Sequence, residues 1–194
     1  MVIDCMKLNR RTFIKIVPAG VALTAVSWLL LDRQTSPLQT TTSAYADFPI
    51  TWNGDFAPNV NPKDYRLRVD GDVSRPLELT IDMLQAMPTV INDTSILCVE
   101  GWHALVKWEG IPLSNLLTLA GAPNSFDHVT VKSVTGYFVN LNYHDATYDG
   151  TMIALKAGAL PLTVEHGYPA RLVLPMRRGL AWVKCIGEVS CSKA

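Results

Sequence analysis

Apolar and polar residues recur with different periods along this chain, and the period identifies most of its elements. Tyr65-Arg66-Leu67-Arg68-Val69-Asp70-Gly71 alternates with period two, which predicts a half-exposed strand stopped by a turn. Leu79 to Met87 has apolar positions at helical spacing, with Thr80 placed as cap, Asp82 in the first turn and Pro88 closing the segment. Thr94, Ile96 and Val99 predict another strand; Gly101 ends its pattern and leaves Cys98 at a strand-to-loop edge, where a side chain can face a cleft. Between Pro112 and Ala120, residues Leu113, Leu116, Leu117 and Ala120 make one helical face, with Pro112 suited to the first turn and Gly121 to the end. Val129 to Val134 and Tyr137 to Leu141 alternate as paired strands around a turn at Gly136. Residues 47–64, rich in Pro, Asn and Asp, read as irregular chain.

With 194 residues, nearly half of them apolar, the chain is long enough for one domain with a real core. Its formal charge is zero but unevenly spread: residues 1–46 hold Lys7, Arg10, Arg11, Lys15 and Arg33 against Asp4 and Asp32, which leaves the remainder at −3. That balance disfavours a nucleic-acid face or a polybasic membrane patch. Asn9-Arg10-Arg11-Thr12-Phe13-Ile14-Lys15 matches the twin-arginine export pattern, and an apolar run follows from Ile16 to Leu31, interrupted by Pro18. At 16 residues the run is shorter than the about 20 of an ordinary membrane span. Ala44-Tyr45-Ala46 has the shape of a cleavage site, so residues 1–46 read as an export signal and 47–194 as the working domain. The site lies far beyond the apolar run, which keeps open an uncleaved N-terminal anchor as the chain's one link to a membrane. The expected location is the periplasm or beyond, by a route for proteins that fold before they cross, as one with a buried cofactor must.

Two stretches carry candidate chemistry. The first is Cys98-Val-Glu-Gly101-Trp102-His103, continuing to Trp108-Glu109-Gly110-Ile111-Pro112-Leu113. A lone thiol at a strand edge is either core filler or a ligand. The second is Glu165-His166-Gly167-Tyr168-Pro169-Ala170-Arg171, leading into an apolar strand and on to Gly179 and Trp182-Val183-Lys184. Arg offers a planar fork of donors suited to phosphate, Gly167 lets backbone approach a ligand, and Pro169 stiffens the turn so that His166 and Arg171 can converge. The same turn needs no ligand to exist, and Arg171 or Lys184 as solvated surface charges is the competing reading. His103, His128, His144 and His166 lack the close spacing of a zinc site, which argues against a zinc hydrolase.

Taken together, the Cys98-x-x-Gly101-Trp102 loop with Trp108-Glu109-Gly110-Ile111-Pro112-Leu113, the module from Tyr65 to Pro88, and the Glu165 to Lys184 stretch resemble the sulfite-oxidase family of molybdopterin-dependent oxidoreductases, over roughly residues 60–190. The resemblance implies an α+β, sulfite-oxidase-type molybdopterin-binding fold with mixed β-sheets and short helices. It implies a molybdenum-molybdopterin cofactor, with the metal on Cys98 and the pterin and its phosphate held by Ser133, His166, Arg171 and Lys184. Tyr137 falls near the family's active-site tyrosine, able to donate a hydrogen bond to a metal-bound oxygen or a substrate oxyanion, and His103 is placed toward the substrate. The implied reaction is two-electron oxygen-atom transfer on a small oxidised-sulfur or related substrate, its direction not readable. A non-catalytic exported binding or electron-transfer domain of the same fold is the alternative.

Departures from the family pattern sharpen these expectations. Sulfite oxidases place an arginine five positions past the metal-binding Cys, where this chain has His103; a group of pKa about 6.5 is a weaker counter-charge for a sulfite dianion. The family's C-terminal immunoglobulin-like dimerisation domain has no counterpart in these 194 residues. No Cys-x-x-Cys-His haem motif occurs, so a separate electron-transfer partner, a cytochrome or a membrane haem subunit, is expected. Cys185 stands where relatives usually have tryptophan. Beyond Cys5, the cysteines are Cys98, Cys185 and Cys191; either the last two pair, leaving Cys98 as thiolate, or they never meet.

Overall fold

A computed structural model describes residues 49–50 and 58–193, so the expectations for the export signal and its cleavage lie outside the described residues. Among the described residues, ten strands form two five-stranded sheets. The first contains β1 (Leu67–Gly71), β2 (Leu77–Leu79), β5 (His128–Ser133), β6 (Phe138–Asn142) and β10 (Ile186–Ser192) in the order β2-β1-β10-β5-β6. It is mixed, because β10 runs parallel to β1 and antiparallel to β5. The second contains β3 (Val90–Leu97), β4 (His103–Pro112), β7 (Met152–Ala157) and β8 (Leu160–Pro161) in that order, with β9 (Arg171–Val173) also pairing with β7; all its pairs are antiparallel. Among the described residues, three short helices, α1 (Ile81–Ala86), α2 (Leu113–Ala120) and α3 (Tyr143–Thr147), and a 3-10 turn at Gly179–Ala181 complete an α+β architecture.

Local rules account for most elements. Thr80 caps α1 by accepting a hydrogen bond from the Met83 N–H, and Gly121 ends α2 in the left-handed conformation. The predicted face of α2 is buried, and the helix packs on β1 of one sheet and on β4 and β7 of the other, tying the two together. Full burial of each of Leu113, Leu116 and Leu117 contributes roughly 1.5–3 kcal/mol.

Two cysteines that could have been joined are not. Cys185 directly precedes β10 and Cys191 lies near its far end, both fully buried thiols. Six residues of extended chain separate them by roughly 20 Å, against the about 7 Å limit for a disulfide. Of the two alternatives for Cys185 and Cys191, the structure has the second: β10 lies between them and they do not meet.

Tyr65, buried ahead of β1, donates its hydroxyl to the Ile186 carbonyl at 2.6 Å, fastening the domain's lead-in to β10. Burial first, then the nearby Cys185 and Tyr168, raises its phenol well above the ordinary value of 10.0. The folded chain holds this proton more tightly than the unfolded chain, so the contribution is complete below pH 10 and is lost as pH rises above it. Denaturant titrations between pH 7 and 11 should show wild-type stability falling above pH 10 more steeply than that of Tyr65→Phe, which at neutral pH should be about 1 kcal/mol less stable for its missing hydrogen bond. Parallel pH profiles for the two proteins would refute this account.

Candidate functional site

β3 and β4 form a hairpin whose pairing runs from Val90 opposite Gly110 to Leu97 opposite His103. Residues 98–102 turn it: the Cys98 N–H donates to the Trp102 carbonyl at 2.9 Å, and the Gly101 N–H donates to the Cys98 carbonyl at 3.2 Å. Gly101 has φ of 94°, a conformation open to glycine. Cys98 is a reduced thiol, 7% exposed, at the end of the strand as expected. Side-chain alternation divides the hairpin into two faces. Ile96, Val106 and Trp108 point into the core, whereas Leu97, His103 and Leu105 occupy the exposed outer face. His103 therefore stands apart from the inward-facing residues of its own hairpin.

The turn from Thr163 to Arg171 is the second part. The His166 N–H and the Tyr168 N–H both donate to the Thr163 carbonyl, at 3.1 and 2.9 Å, and the Thr163 hydroxyl meets His166 Nδ1 at 2.9 Å. The Tyr168–Pro169 peptide is cis. Gly167 has φ of 104°, and a Cβ there would lie 3.0 Å from Arg171 Cβ and 3.2 Å from Lys184 Cα, so the turn is packed as tightly as a side chain-free residue permits. Arg171 is 1% exposed: Nη1 donates to the His166 carbonyl at 3.0 Å, and the guanidinium carbon lies 5.0 Å from the Trp108 ring centroid and 5.9 Å from that of Trp182. The reading of Arg171 as a solvated surface charge is thereby excluded; it braces the turn from inside. Lys184 Nζ donates to the Glu165 carbonyl at 2.8 Å. The Glu165 carboxyl is held below the usual carboxylate range by its own backbone N–H first and the Thr163 side chain second, with His166 and Lys184 adding to the effect.

The β5–β6 hairpin supplies the third part. Ser133 is buried; its N–H donates to the Tyr137 carbonyl at 2.7 Å and its Oγ accepts from the Thr135 N–H and hydroxyl. The backbone of Cys185 links this hairpin to the turn: its carbonyl accepts from the Val134 N–H at 2.8 Å and its N–H donates to the Gly167 carbonyl at 3.2 Å. Ser133, His166, Arg171 and Lys184 are thus gathered around residues 183–186, and Trp108 connects Cys98's hairpin to Arg171. Tyr137 donates its hydroxyl to the Leu180 carbonyl at 2.7 Å, so the phenolic proton is engaged with the 3-10 turn.

Sequence reasoning missed the walls of this arrangement. Trp108 and Trp182 stand edge to face with centroids 5.8 Å apart, and Arg177 pairs with Asp145. Both tryptophans belonged to the stretches singled out, but only the fold brings their rings into contact with each other and with Arg171.

The residues fit a molybdopterin. No group of three or more His, Cys, Asp or Glu side chains able to hold a metal occurs among the described residues, so a metal on Cys98 would take its other ligands from a carrier. A thiol suits a soft metal, and a turn offering imidazole, ammonium and closely approached backbone suits an anionic organic group.

Comparison with known proteins agrees. Residues 53–194 match the oxidoreductase molybdopterin binding domain family. The chain is 30% identical over 154 residues to a putative protein-methionine-sulfoxide reductase subunit YedZ1 of Azospira oryzae, covering 78% of this chain and 59% of that one. It is 26% identical over 147 residues to the protein-methionine-sulfoxide reductase catalytic subunit MsrP of Gluconobacter oxydans, covering 66% of this chain and 47% of that one. Among solved structures, the sulfane dehydrogenase SoxCD from Paracoccus pantotrophus superposes with a TM-score of 0.66 at 26% identity, over 71% of this chain and 40% of the other. The chain therefore spans about half to three fifths of the two curated relatives, and within that span it belongs to the molybdopterin-binding oxidoreductase family of sulfite-oxidase type, with molybdenum-molybdopterin as its cofactor.

Proposed function

We propose that this chain is the cofactor-bearing catalytic unit of an exported oxidoreductase that removes an oxygen atom from a sulfoxide, fed with electrons by a separate haem-bearing partner. The observation that carries the reading is the junction of Cys98's hairpin with the Thr163–Arg171 turn through Trp108 and Arg171, which unites a sheltered thiol with a set of anion-binding groups. When bound, the molybdenum cofactor supplies the two-electron redox chemistry and the site of oxygen transfer. Cys98 would hold the metal; His166, Lys184 and Ser133 would orient the pterin; Arg171 would keep that turn rigid. Tyr137 holds the 3-10 turn beside the site.

A neutral substrate suits the hairpin: five positions past Cys98 this chain has no arginine, and His103, which stands there, lies on the outer face of β4. A sulfoxide requires no fixed cation at that place, whereas a sulfite dianion does. The relatives named for methionine-sulfoxide reduction support the reductive direction, and their being subunits supports a partner. Export rests on the twin-arginine pattern at Arg10-Arg11. Molybdenum-loaded protein given a reduced viologen dye should oxidise it upon addition of methionine sulfoxide, and should oxidise sulfite with ferricyanide at no more than a tenth of that rate, about 1.4 kcal/mol of preference. Faster sulfite oxidation, or no sulfoxide turnover by loaded protein, would overturn the reading.

A further inference from the structure

The loop between β9 and β10 touches every part of the site, and it is tied down from outside. At its root Arg177 directs Nε, at 2.8 Å, and Nη2, at 2.6 Å, onto Oδ2 of Asp145 on α3, whose side chain is 7% exposed. Asp145 is itself fixed, because its N–H donates to Asn142 Oδ1 and its carbonyl accepts the Thr151 hydroxyl, both at 2.8 Å. His144 Nδ1 lies 3.6 Å from its other carboxylate oxygen. The Arg177 carbonyl accepts from Trp182 Nε1 at 3.0 Å, and Trp182 walls Arg171. At the crest, a Cβ on Gly179 would lie 3.1 Å from Ile96 Cγ1 and 3.3 Å from the carbonyl oxygen of Leu97, the residue before Cys98. Leu180, next along, receives the Tyr137 hydroxyl.

A carboxylate removed from water is costly unless a well-oriented cation and further hydrogen bonds compensate it. Here the compensation comes from an arginine whose other contacts lead to the site, while the chemistry proposed above gives Asp145 no task. We infer that Asp145 and Arg177 are positioning residues: their ion pair presses the 174–182 loop against the end of β3 and so keeps Cys98 sheltered and set for the metal. The inference rests on Cys98 being the metal ligand, but its test requires no metal.

The full-length chain, made in cells unable to synthesise molybdopterin, is treated with iodoacetamide, and peptide mass spectrometry scores Cys98, Cys185 and Cys191 separately. Arg177→Ala and Asp145→Ala should each raise the alkylation rate of Cys98 about tenfold, within the coupling range of contacting residues, and the double variant should raise it no further. Arg177→Lys, which keeps one charge-assisted bond, should recover part of the protection and guards against alanine variants that fail to fold. Cys185 and Cys191 sit in the core around β10 and should remain as slow as in wild type. General loosening would expose all three thiols together; that result, an unchanged Cys98 rate, or additive effects in the double variant would overturn the inference. If Cys98 alone is exposed as expected, yet wild-type protein from a molybdenum-replete host contains no metal, the positioning role stands and the proposed function falls.

Discussion

Cys98→Ser should leave the protein folded and nearly empty of molybdenum. Serine is close to cysteine in size, and the hydrogen bonds of the 98–102 turn run through the main chain, so the hairpin should survive with its thermal midpoint within about 2 °C of cofactor-free wild type, a change of less than about 1 kcal/mol. A metal held by Cys98 as proposed would, by contrast, lose that sulfur. Altering even an outer-shell residue typically costs 10–100-fold in metal affinity, so loss of the ligand itself should lower molybdenum per chain by at least about tenfold and abolish sulfoxide turnover. Elemental analysis of wild type and variant purified side by side from a molybdenum-replete host decides the matter. A serine variant retaining a full complement of metal would remove Cys98 from the site.

Arg171→Ala should strongly destabilise the domain's second sheet. It opens a void beside two tryptophan rings and deprives the His166 carbonyl of its donor in a place closed to water. Loss of core volume and of a buried charge-assisted hydrogen bond together cost roughly 3–5 kcal/mol. At roughly 2–4 °C per kcal/mol for a domain of this size, the midpoint should fall by about 6–20 °C. Arg171→Lys should recover only part of this, because an ammonium cannot stack on both rings while reaching the same carbonyl. Calorimetry on cofactor-free protein isolates this effect from cofactor binding, and an unchanged midpoint would mean that Arg171 is not the brace the geometry suggests.

How much of this was legible in the sequence depended on whether a signal was local. β1, α1, α2 and the β5–β6 hairpin each expose one face and bury the other, so a period of two or 3.6 marks them. β7 is buried along most of its length and shows a continuous apolar run in place of alternation. β10 carries a register shift between Ile186 and Glu188 that breaks its period, and its partner β1 is more than a hundred residues away. α3, at five residues, is too short to show a period at all. The site divides in the same way. Cys98 and the Glu165–Arg171 turn stand out as motifs within a few residues. The bond from Tyr137 to Leu180 and the pair of Arg177 with Asp145 join positions 43 and 32 apart, and nothing nearby in the sequence announces either. The outward aspect of His103 follows from the hairpin register opposite Leu97, which the motif does not encode.

The central position of β10 bears on biosynthesis. It is the last of these ten strands to emerge from the ribosome, and β1 and β5, which it separates, have long been exposed by then. The pair β1–β2 and the pair β5–β6 can each form early, but they remain two separate ribbons until the final strand slides between them. Because Lys184 and Cys185 lie on the approach to that strand, the grouping of Ser133, His166 and Lys184 is completed only at this last step, and a cofactor held by those residues would load only once translation of the domain has finished.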